Sequence, residues 1–185
     1  MMSAMTQRVT FAELNRAHDD LAELLWLHQE CLVAGAFGPA RDLLQAYRRL
    51  IELHIAHEEE DVLPLYARAE TQRWPAEMFT GQHKKLLALL DRIEPMLASL
   101  RRVDGWRRGV ITALETETTL KHLLEHHHLA EDQALYPIAE EHASDEELAQ
   151  IVGERVREWG EAVEGARQIM AAGREALRDG SGQAD

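Results

Sequence analysis

One motif occurs twice in the sequence, and it restricts the chain to a helical arrangement. His54 precedes Glu58 by four residues, and His127 precedes Glu131 by the same distance. Each copy ends on a Leu-Pro or Tyr-Pro pair at the same distance from its histidine. Residues four apart lie on one face of an α-helix, one turn from each other. Each copy therefore predicts a helix that presents an imidazole beside a carboxylate.

A single histidine lies on the helix before each copy, so the repeat covers half of a bundle. The local sequences are alike, with HDDLAELL beginning at His18 and HKKLLALL beginning at His83. Two such halves, related by an approximate two-fold axis, would bring their polar side chains to the centre of an antiparallel up-and-down four-helix bundle. The predicted fold is therefore all-α, with this bundle as its base and a further helix at the C-terminus.

The polar residues predicted to face inward suit metal ions. Imidazole nitrogens and carboxylate oxygens together are accepted by iron, manganese and zinc. A buried carboxylate without a partner is costly, so the two glutamates would otherwise have to be exposed, paired or protonated. A lone histidine on an apolar face can also be satisfied by a hydrogen bond in the core, and for the two single histidines that alternative stays open. The candidate metal ligands are His18, His54, Glu58, His83, His127 and Glu131.

Helical spacing of apolar residues divides the rest of the chain into five helices. The predicted helices cover about residues 10–33, 40–69, 76–100, 110–142 and 145–178. Residues 10–143 form the bundle in this interpretation, and residues 144–178 form a helix that packs on the bundle or on a partner subunit. Residues 1–9 are expected to be flexible and residues 179–185 disordered. Thr10 and Ser144 each precede a glutamate by three residues, which predicts two capping boxes.

Other polar residues are assigned less central positions. His57 and Asp61 also have the four-residue spacing, but the second copy has alanine at both positions, so a solvated face is expected for them and for Glu59. His126 and His128 flank His127 and are candidates for contacts behind the ligands. His28 is less well placed than His18, and His122 and His142 are expected at the surface. Tyr47 and Tyr136 are expected to fill the core or to form hydrogen bonds near the site.

The charge and cysteine content exclude several kinds of partner and site. A net charge of −13 disfavours nucleic acid and anionic membranes, because both require a basic face. Cys31 is the single cysteine, so the sequence offers neither a disulfide nor a thiolate metal site. The first nine residues lack an apolar segment of signal-peptide length, and no run of about 18 apolar residues occurs. A cytoplasmic protein is therefore expected.

At these motifs the sequence resembles the hemerythrin-like HHE cation-binding domain family. The resemblance covers about residues 11–143 and leaves the fifth helix outside. It implies a non-haem di-iron centre in a four-helix bundle, with Glu58 and Glu131 bridging two iron ions that share an oxygen. Zinc or manganese could substitute for iron.

The sequence departs from the oxygen-carrying members at two positions. Those proteins have a second histidine one turn after the third-helix histidine, where this chain has Leu87, and their last carboxylate is an aspartate, where this chain has Glu131. The motif is more similar to the four-histidine, two-glutamate sites of iron-sensing and iron-sulfur-repair members. The missing histidine implies an open coordination position.

Three functions remain open at this point. The first is a di-iron protein that binds or senses oxygen, nitric oxide or peroxide, or handles iron. The second is a di-iron enzyme of a stress response, for peroxide or nitric oxide reduction or for cluster repair. The third is a structural or adaptor bundle, with a homodimer formed through the fifth helix and its Trp159.

Overall fold

A computed structural model describes residues 9–181, which form helices joined by short connections, with no strand among them. The predicted all-α class is confirmed. Residues 1–8 and 182–185, which the sequence assigned to a flexible terminus and a disordered tail, lie outside the described residues. No helix within residues 9–181 is both long and apolar enough to cross a membrane.

Helix α1, Arg16–Ala34, follows a 3₁₀ turn over Phe11–Glu13. The capping box predicted at Thr10 is wrong, because the Thr10 side chain makes no capping hydrogen bond. The carboxylate of Glu140 instead accepts the backbone N–H of Phe11 at 2.6 Å. A contact with a residue distant in sequence therefore replaces the local cap and connects the start of the described chain to Glu140.

A two-residue connection joins α1 to helix α2, Phe37–His57. Gly35 ends α1 in the left-handed conformation (φ 73°), which costs glycine little, and the N–H of Ala36 donates to the Cys31 carbonyl at 2.8 Å. Helix α2 begins three residues before the predicted start at Ala40, because a proline is tolerated in the first turn of a helix.

Both copies of the motif widen into a π-helical turn that begins at the glutamate. The turn Glu58–Val62 leads into α3, Leu63–Tyr66, and the turn Glu131–Leu135 leads into α6, Tyr136–Glu141. The proline at the start of α3 and of α6 has no N–H to donate and crowds the carbonyl four residues earlier, and one extra residue per turn relieves this conflict. The irregular turn before Pro64 therefore starts at the glutamate itself.

Three further helices complete the described chain. Helix α4, Ala76–Ser99, continues through Pro95 without a break. Helix α5, Trp106–Ala130, starts four residues before the predicted Val110. Helix α7, Asp145–Ser181, is continuous and extends three residues past the predicted end. The capping box predicted at its start is confirmed, since the Glu147 N–H donates to Ser144 Oγ at 3.1 Å.

The helices pack as a ring with one additional helix outside it. Helix α1 contacts α2 and α5, while α4 also contacts α2 and α5, so the four long helices enclose a common interior. Helix α7 lies against α1 and α2. Its Trp159 is buried, and the indole N–H donates to Asp20 on α1 at 2.8 Å. The fifth helix thus packs on its own bundle, and the homodimer stays a prediction.

Two buried apolar clusters occupy the interior, and the polar residues of the motifs lie between them. One cluster includes Leu21, Ile51, Leu86 and Leu124, and the other includes Leu14, Val62, Phe79 and Ala134. Along each of the four chain segments the change from one cluster to the other occurs at or beside a motif residue. His83, for example, lies between Phe79 of one cluster and Leu86 of the other. The core is therefore divided by a polar layer.

Candidate metal centre

All six side chains named as candidate ligands converge on this polar layer. His54, Glu58, His83, His127 and Glu131 are buried, and the His18 side chain is 12% exposed. Helical periodicity predicted that they face inward. Each glutamate is the first residue of a π-turn. His128 joins them, although the sequence assigned it a position behind the ligands.

One group of four side chains lies deep in the bundle. It consists of Glu58, His83, His127 and Glu131, and one ligand atom from each lies within 4.8 Å of the other three. His83 Nε2 is 3.1 Å from Glu58 Oε2, and His127 Nε2 is 2.6 Å from Glu131 Oε1. Glu58 Oε2 is also 3.8 Å from His127 Nε2. Two imidazoles and two carboxylates thus face one point.

A second group adjoins the first and is more accessible. It consists of His18, His54, His128 and Glu131, again with one atom from each within 4.8 Å of the others. The rings of His18 and His128 stack with centroids 3.6 Å apart and an interplanar angle of 6°. His18 Nε2 is 3.1 Å from Glu131 Oε2.

Glu131 belongs to both groups, whereas Glu58 belongs to the deep group. The two oxygens of Glu131 face opposite histidines, since Oε1 approaches His127 and Oε2 approaches His18. Glu58 Oε1 is 3.7 Å from His54 Nε2, a longer separation than either Glu131 contact. The geometry therefore favours Glu131 as the shared carboxylate and treats the two glutamates unequally, where the resemblance implied equal bridging roles.

Several polar atoms at the centre form no well-aligned hydrogen bond within residues 9–181, although His18 and His127 each lie within ion-pair distance of Glu131. These atoms are Nε2 of His18, His54, His127 and His128, and both carboxylate oxygens of Glu131. Leaving one buried polar group unsatisfied typically costs about 1–3 kcal/mol, and more for a charged group. Such atoms gathered at one point form an arrangement that bound cations would satisfy. The donor set therefore fits metal ions.

Two contacts behind the histidines hold the deep rings in place. The Nδ1–H of His83 donates to Glu59 Oε1, and the Nδ1–H of His127 donates to Gln82 Oε1, both at 2.8 Å. When Nδ1 carries the proton, Nε2 of a neutral imidazole is left with a lone pair directed inward. Glu59 is exposed, as predicted, with 42% of its side chain accessible, but the sequence analysis missed its contact with His83.

Tyr136 contacts the deep group directly. Its hydroxyl donates to Glu58 Oε1 at 2.6 Å, in agreement with the expectation of a hydrogen bond near the site. Burial raises the pKa of Tyr136 well above its usual range, and the nearby Glu58 carboxylate adds to the shift. The phenol therefore stays protonated and occupies one of the two oxygens of Glu58.

The two buried glutamates have opposite shifts in pKa. Burial, followed by the negative charge of Glu131, raises the pKa of Glu58. Burial also acts to raise the pKa of Glu131, but the nearby His127 imidazole and further histidine contacts outweigh it and hold this pKa well below its usual range. Glu131 thus carries the fixed negative charge of the centre.

The pKa values of the histidines at the centre also shift in opposite directions. Burial lowers the pKa of His54 well below its usual range, and burial with the neighbouring His18 lowers that of His128 to about 3. Burial also acts to lower the pKa of His18 and His83, but contacts with Glu131 and Glu58 respectively outweigh it, and both pKa values are raised. A metal ion would have to replace a proton at those last two rings.

His57 does not lie on a solvated face. It is buried, and its Nε2 is 3.1 Å from Glu158 Oε2 on α7. Arg155 on the same helix donates to Glu158 at 2.8 Å and to Asp61 at 2.6 Å. Burial, followed by the Arg155 charge, lowers the pKa of His57. These residues attach α7 to the first π-turn. The periodicity of a single helix cannot predict such contacts between helices.

The remaining histidines lie outside the centre. His126 is exposed, so the prediction that it contacts the ligands from behind is wrong. His122 is exposed, as predicted, and His142 is half-buried. His28 is fully buried, with Nε2 3.0 Å from Glu117 Oε1 and Nδ1 donating to the Ala40 carbonyl at 2.7 Å. The sequence analysis missed the buried Glu117, which no repeated motif marks.

The centre can now be compared with known proteins. A family model described as the Hemerythrin HHE cation binding domain matches residues 75–183, more than half of the chain. The chain belongs to this family. No curated protein and no solved structure matches it.

The family model covers residues 75–183, whereas the resemblance seen in the sequence covers about residues 11–143. The match contains His83, His127 and Glu131 and continues through α7, which had been left outside. It begins after the first copy of the motif, so His54 and Glu58 lie before it. Their place at the centre rests on the geometry of the structure and on the internal repeat.

Proposed function

We propose that this HHE domain binds two metal ions, one in each group of side chains, and that both ions are iron. His83, His127 and Glu58 would hold the deep ion, His18, His54 and His128 the outer ion, and Glu131 both. One observation supports this above all: Nε2 of four of these histidines and both Glu131 oxygens form no well-aligned hydrogen bond among the described residues. A shared carboxylate also reduces repulsion between two cations that are close together.

Iron is preferred to other first-row metals through the family. Nitrogen and oxygen donors alone also accept zinc and manganese. Bound iron would supply a redox-active centre that takes small exogenous ligands. Each group offers four protein donors, and the more accessible outer group would leave room for such a ligand.

The protein, in this proposal, binds or senses a small ligand such as oxygen, nitric oxide or peroxide. Glu59 and Gln82 orient the imidazoles of the deep group, and Tyr136 holds Glu58 by a hydrogen bond. The side chains of the deep group are buried away from water. A reducing cytoplasm would keep such iron available, and the single buried Cys31 is compatible with that setting.

The proposed bundle is antiparallel and runs up and down. The short connection between α1 and α2 supports opposite directions for these two neighbours. The repeated order of motifs supports the same arrangement for α4 and α5. The shared interior of the four long helices then places one motif residue or pair on each.

Metal analysis with spectroscopy tests the proposal. The protein is reconstituted with ferrous iron without air, desalted and analysed for metal, and absorption spectra are recorded before and after oxygen or nitric oxide is added. We expect about two iron ions per chain and ligand-dependent spectral changes. Replacement of His127 with alanine should lower the iron content, whereas the matched replacement of the exposed His122 on the same helix should not.

The experiment also separates the competing functions. Sustained consumption of peroxide or nitric oxide well above that of free iron, lost in the His127 variant, would favour a di-iron enzyme. Absence of iron after anaerobic reconstitution, with thermal stability unchanged by His127→Ala, would contradict metal binding and favour a structural bundle.

A further inference from the structure

A cavity of about 200 Å³ connects the protein surface to the outer group of histidines. His18 and His128 form part of its wall, and Tyr47 on α2 forms another part. Trp26 and Lys121 line its outer end, where the Lys121 ammonium lies 4.0 Å from the centroid of the Trp26 ring. One water molecule needs about 10–15 Å³ of such space, so the cavity can hold a ligand of several atoms.

The Tyr47 hydroxyl is an unusual feature of this wall. Tyr47 is 1% exposed, and its hydroxyl has no hydrogen-bond partner within the part of the chain that the structure describes. Burial raises the pKa of Tyr47, so the hydroxyl keeps its proton and can donate. Leucine side chains, Leu21, Leu25 and Leu124, border the same cavity and offer it no acceptor.

We propose that this cavity binds a small ligand bearing a hydrogen-bond acceptor, and that the Tyr47 hydroxyl donates to the acceptor while the ligand lies against His18 and His128. The inference rests on the proposed function, because the two histidines belong to the outer metal group. It goes further by assigning ligand entry to one side of the bundle and ligand positioning to one phenol.

The lining chemistry defines the class of ligand. The Tyr47 phenol and the Lys121 ammonium among the lining residues favour an acceptor, although the Glu125 carboxylate also lines the cavity and offsets some of the positive charge. The apolar wall favours a ligand of few atoms over a larger polar metabolite. A diatomic or triatomic molecule with exposed lone pairs meets both conditions, and azide is a suitable probe.

Azide binding to the iron-reconstituted protein tests the role of Tyr47. Titration calorimetry gives the affinity, and the infrared stretch of bound azide reports a hydrogen bond to it. Tyr47→Phe keeps the ring and removes the hydroxyl, so we expect iron content to remain at the wild-type level, azide affinity to fall about five- to tenfold, and the stretch to shift. Tyr66→Phe is the matched control, because its hydroxyl donates to the Trp74 carbonyl at 2.7 Å and Tyr66 does not line the cavity.

Thermal unfolding of the metal-free protein provides a readout that does not depend on iron. If the Tyr47 hydroxyl lacks a partner in the folded chain, Tyr47→Phe should raise the melting temperature, whereas Tyr66→Phe should lower it. A lower melting temperature for Tyr47→Phe would show that the hydroxyl is already bonded within the protein and would overturn the proposal.

A variant that narrows the cavity tests the entry route. Ala22 lies on the exposed side of α1 and lines the cavity, so Ala22→Leu should slow azide association at least tenfold; the exposed Ala171→Leu on α7 is the control. Unchanged association would exclude this route. Azide affinity that is equal in Tyr47→Phe and wild type would overturn the phenol's role and leave the metal centre intact. Failure of wild type to take up any metal would instead remove the proposed function and this inference together.

Discussion

The unequal roles of Glu131 and Glu58 give a direct test of the metal centre. Replacement of either glutamate by glutamine preserves its shape and removes its charge. Because Glu131 belongs to both groups and Glu58 to the deep one, we expect Glu131→Gln to lose both ions and Glu58→Gln to lose one. Each variant removes a single carboxylate at a buried position, so a general effect of burial would act on both alike.

The expected magnitude follows from binding linkage. An ion that binds the folded state at 100 times its dissociation constant stabilises that state by about 2.7 kcal/mol. In a chain of this size about 1 kcal/mol moves the melting temperature by roughly 2–4 °C, so each ion should contribute roughly 5–11 °C. The difference in melting temperature between loaded and chelator-treated protein should therefore be largest for wild type, about half as large for Glu58→Gln, and near zero for Glu131→Gln.

Differential scanning calorimetry with and without chelator, together with metal analysis, measures both quantities. Taking the loaded-minus-free difference cancels whatever each substitution does to the metal-free protein. Glu117→Gln is a matched control, because Glu117 is also fully buried and bonded to a histidine but belongs to neither group. Equal losses in Glu131→Gln and Glu58→Gln, or two ions retained by Glu131→Gln, would refute the assignment of Glu131 as the shared ligand.

Three further predictions concern stability away from the centre. His28→Leu should lower the unfolding free energy by about 3–5 kcal/mol, because it leaves a buried carboxylate without its partner, and metal content should not change. Ser144→Ala should cost about 1 kcal/mol by removing the cap of α7, as measured by urea unfolding. Gly160→Ala should stabilise α7 by about 0.5–1 kcal/mol, and Gly173→Ala should gain less, because its added Cβ would lie 2.9 Å from Leu43 Cδ1. A larger gain at Gly173 than at Gly160 in the same assay would contradict the packing argument.

The bundle and the convergence of six polar side chains could be predicted because both follow from local periodicity. A residue such as His83 lies on the apolar stripe of its own helix, and that stripe must face the interior wherever the helix docks. The start of α7 was predicted for the same reason, since the capping contact of Ser144 lies within a single turn.

The contacts that were missed connect segments far apart in the chain. His57 meets Glu158 across 101 residues, and the Phe11 N–H meets Glu140 across 129 residues. No helical period describes such pairs, because they depend on how α7 and α6 dock against the rest of the chain. Thr10 is an example. The local capping motif is present, but Thr10 makes no capping hydrogen bond, and the adjacent Phe11 N–H donates to the Glu140 carboxylate on a distant helix.

The inequality of the two glutamates follows from differences between the two copies of the motif. The residue before the proline is Leu63 in the first copy and Tyr136 in the second. Tyr136 donates across the bundle to Glu58 and occupies one of its oxygens, while Leu63 has no polar group to offer Glu131. Both oxygens of Glu131 are therefore left for the centre.

A second difference acts in the same direction. His128 stands where the first copy has Ile55, so the second copy supplies one more nitrogen, and it supplies it to the outer group, beside the cavity. A repeat that is nearly symmetric in sequence thus produces a centre with a closed, carboxylate-rich side and an open, histidine-rich side. In the proposed function, a small ligand would therefore bind at the accessible outer group, while the buried deep group would hold the bundle around it.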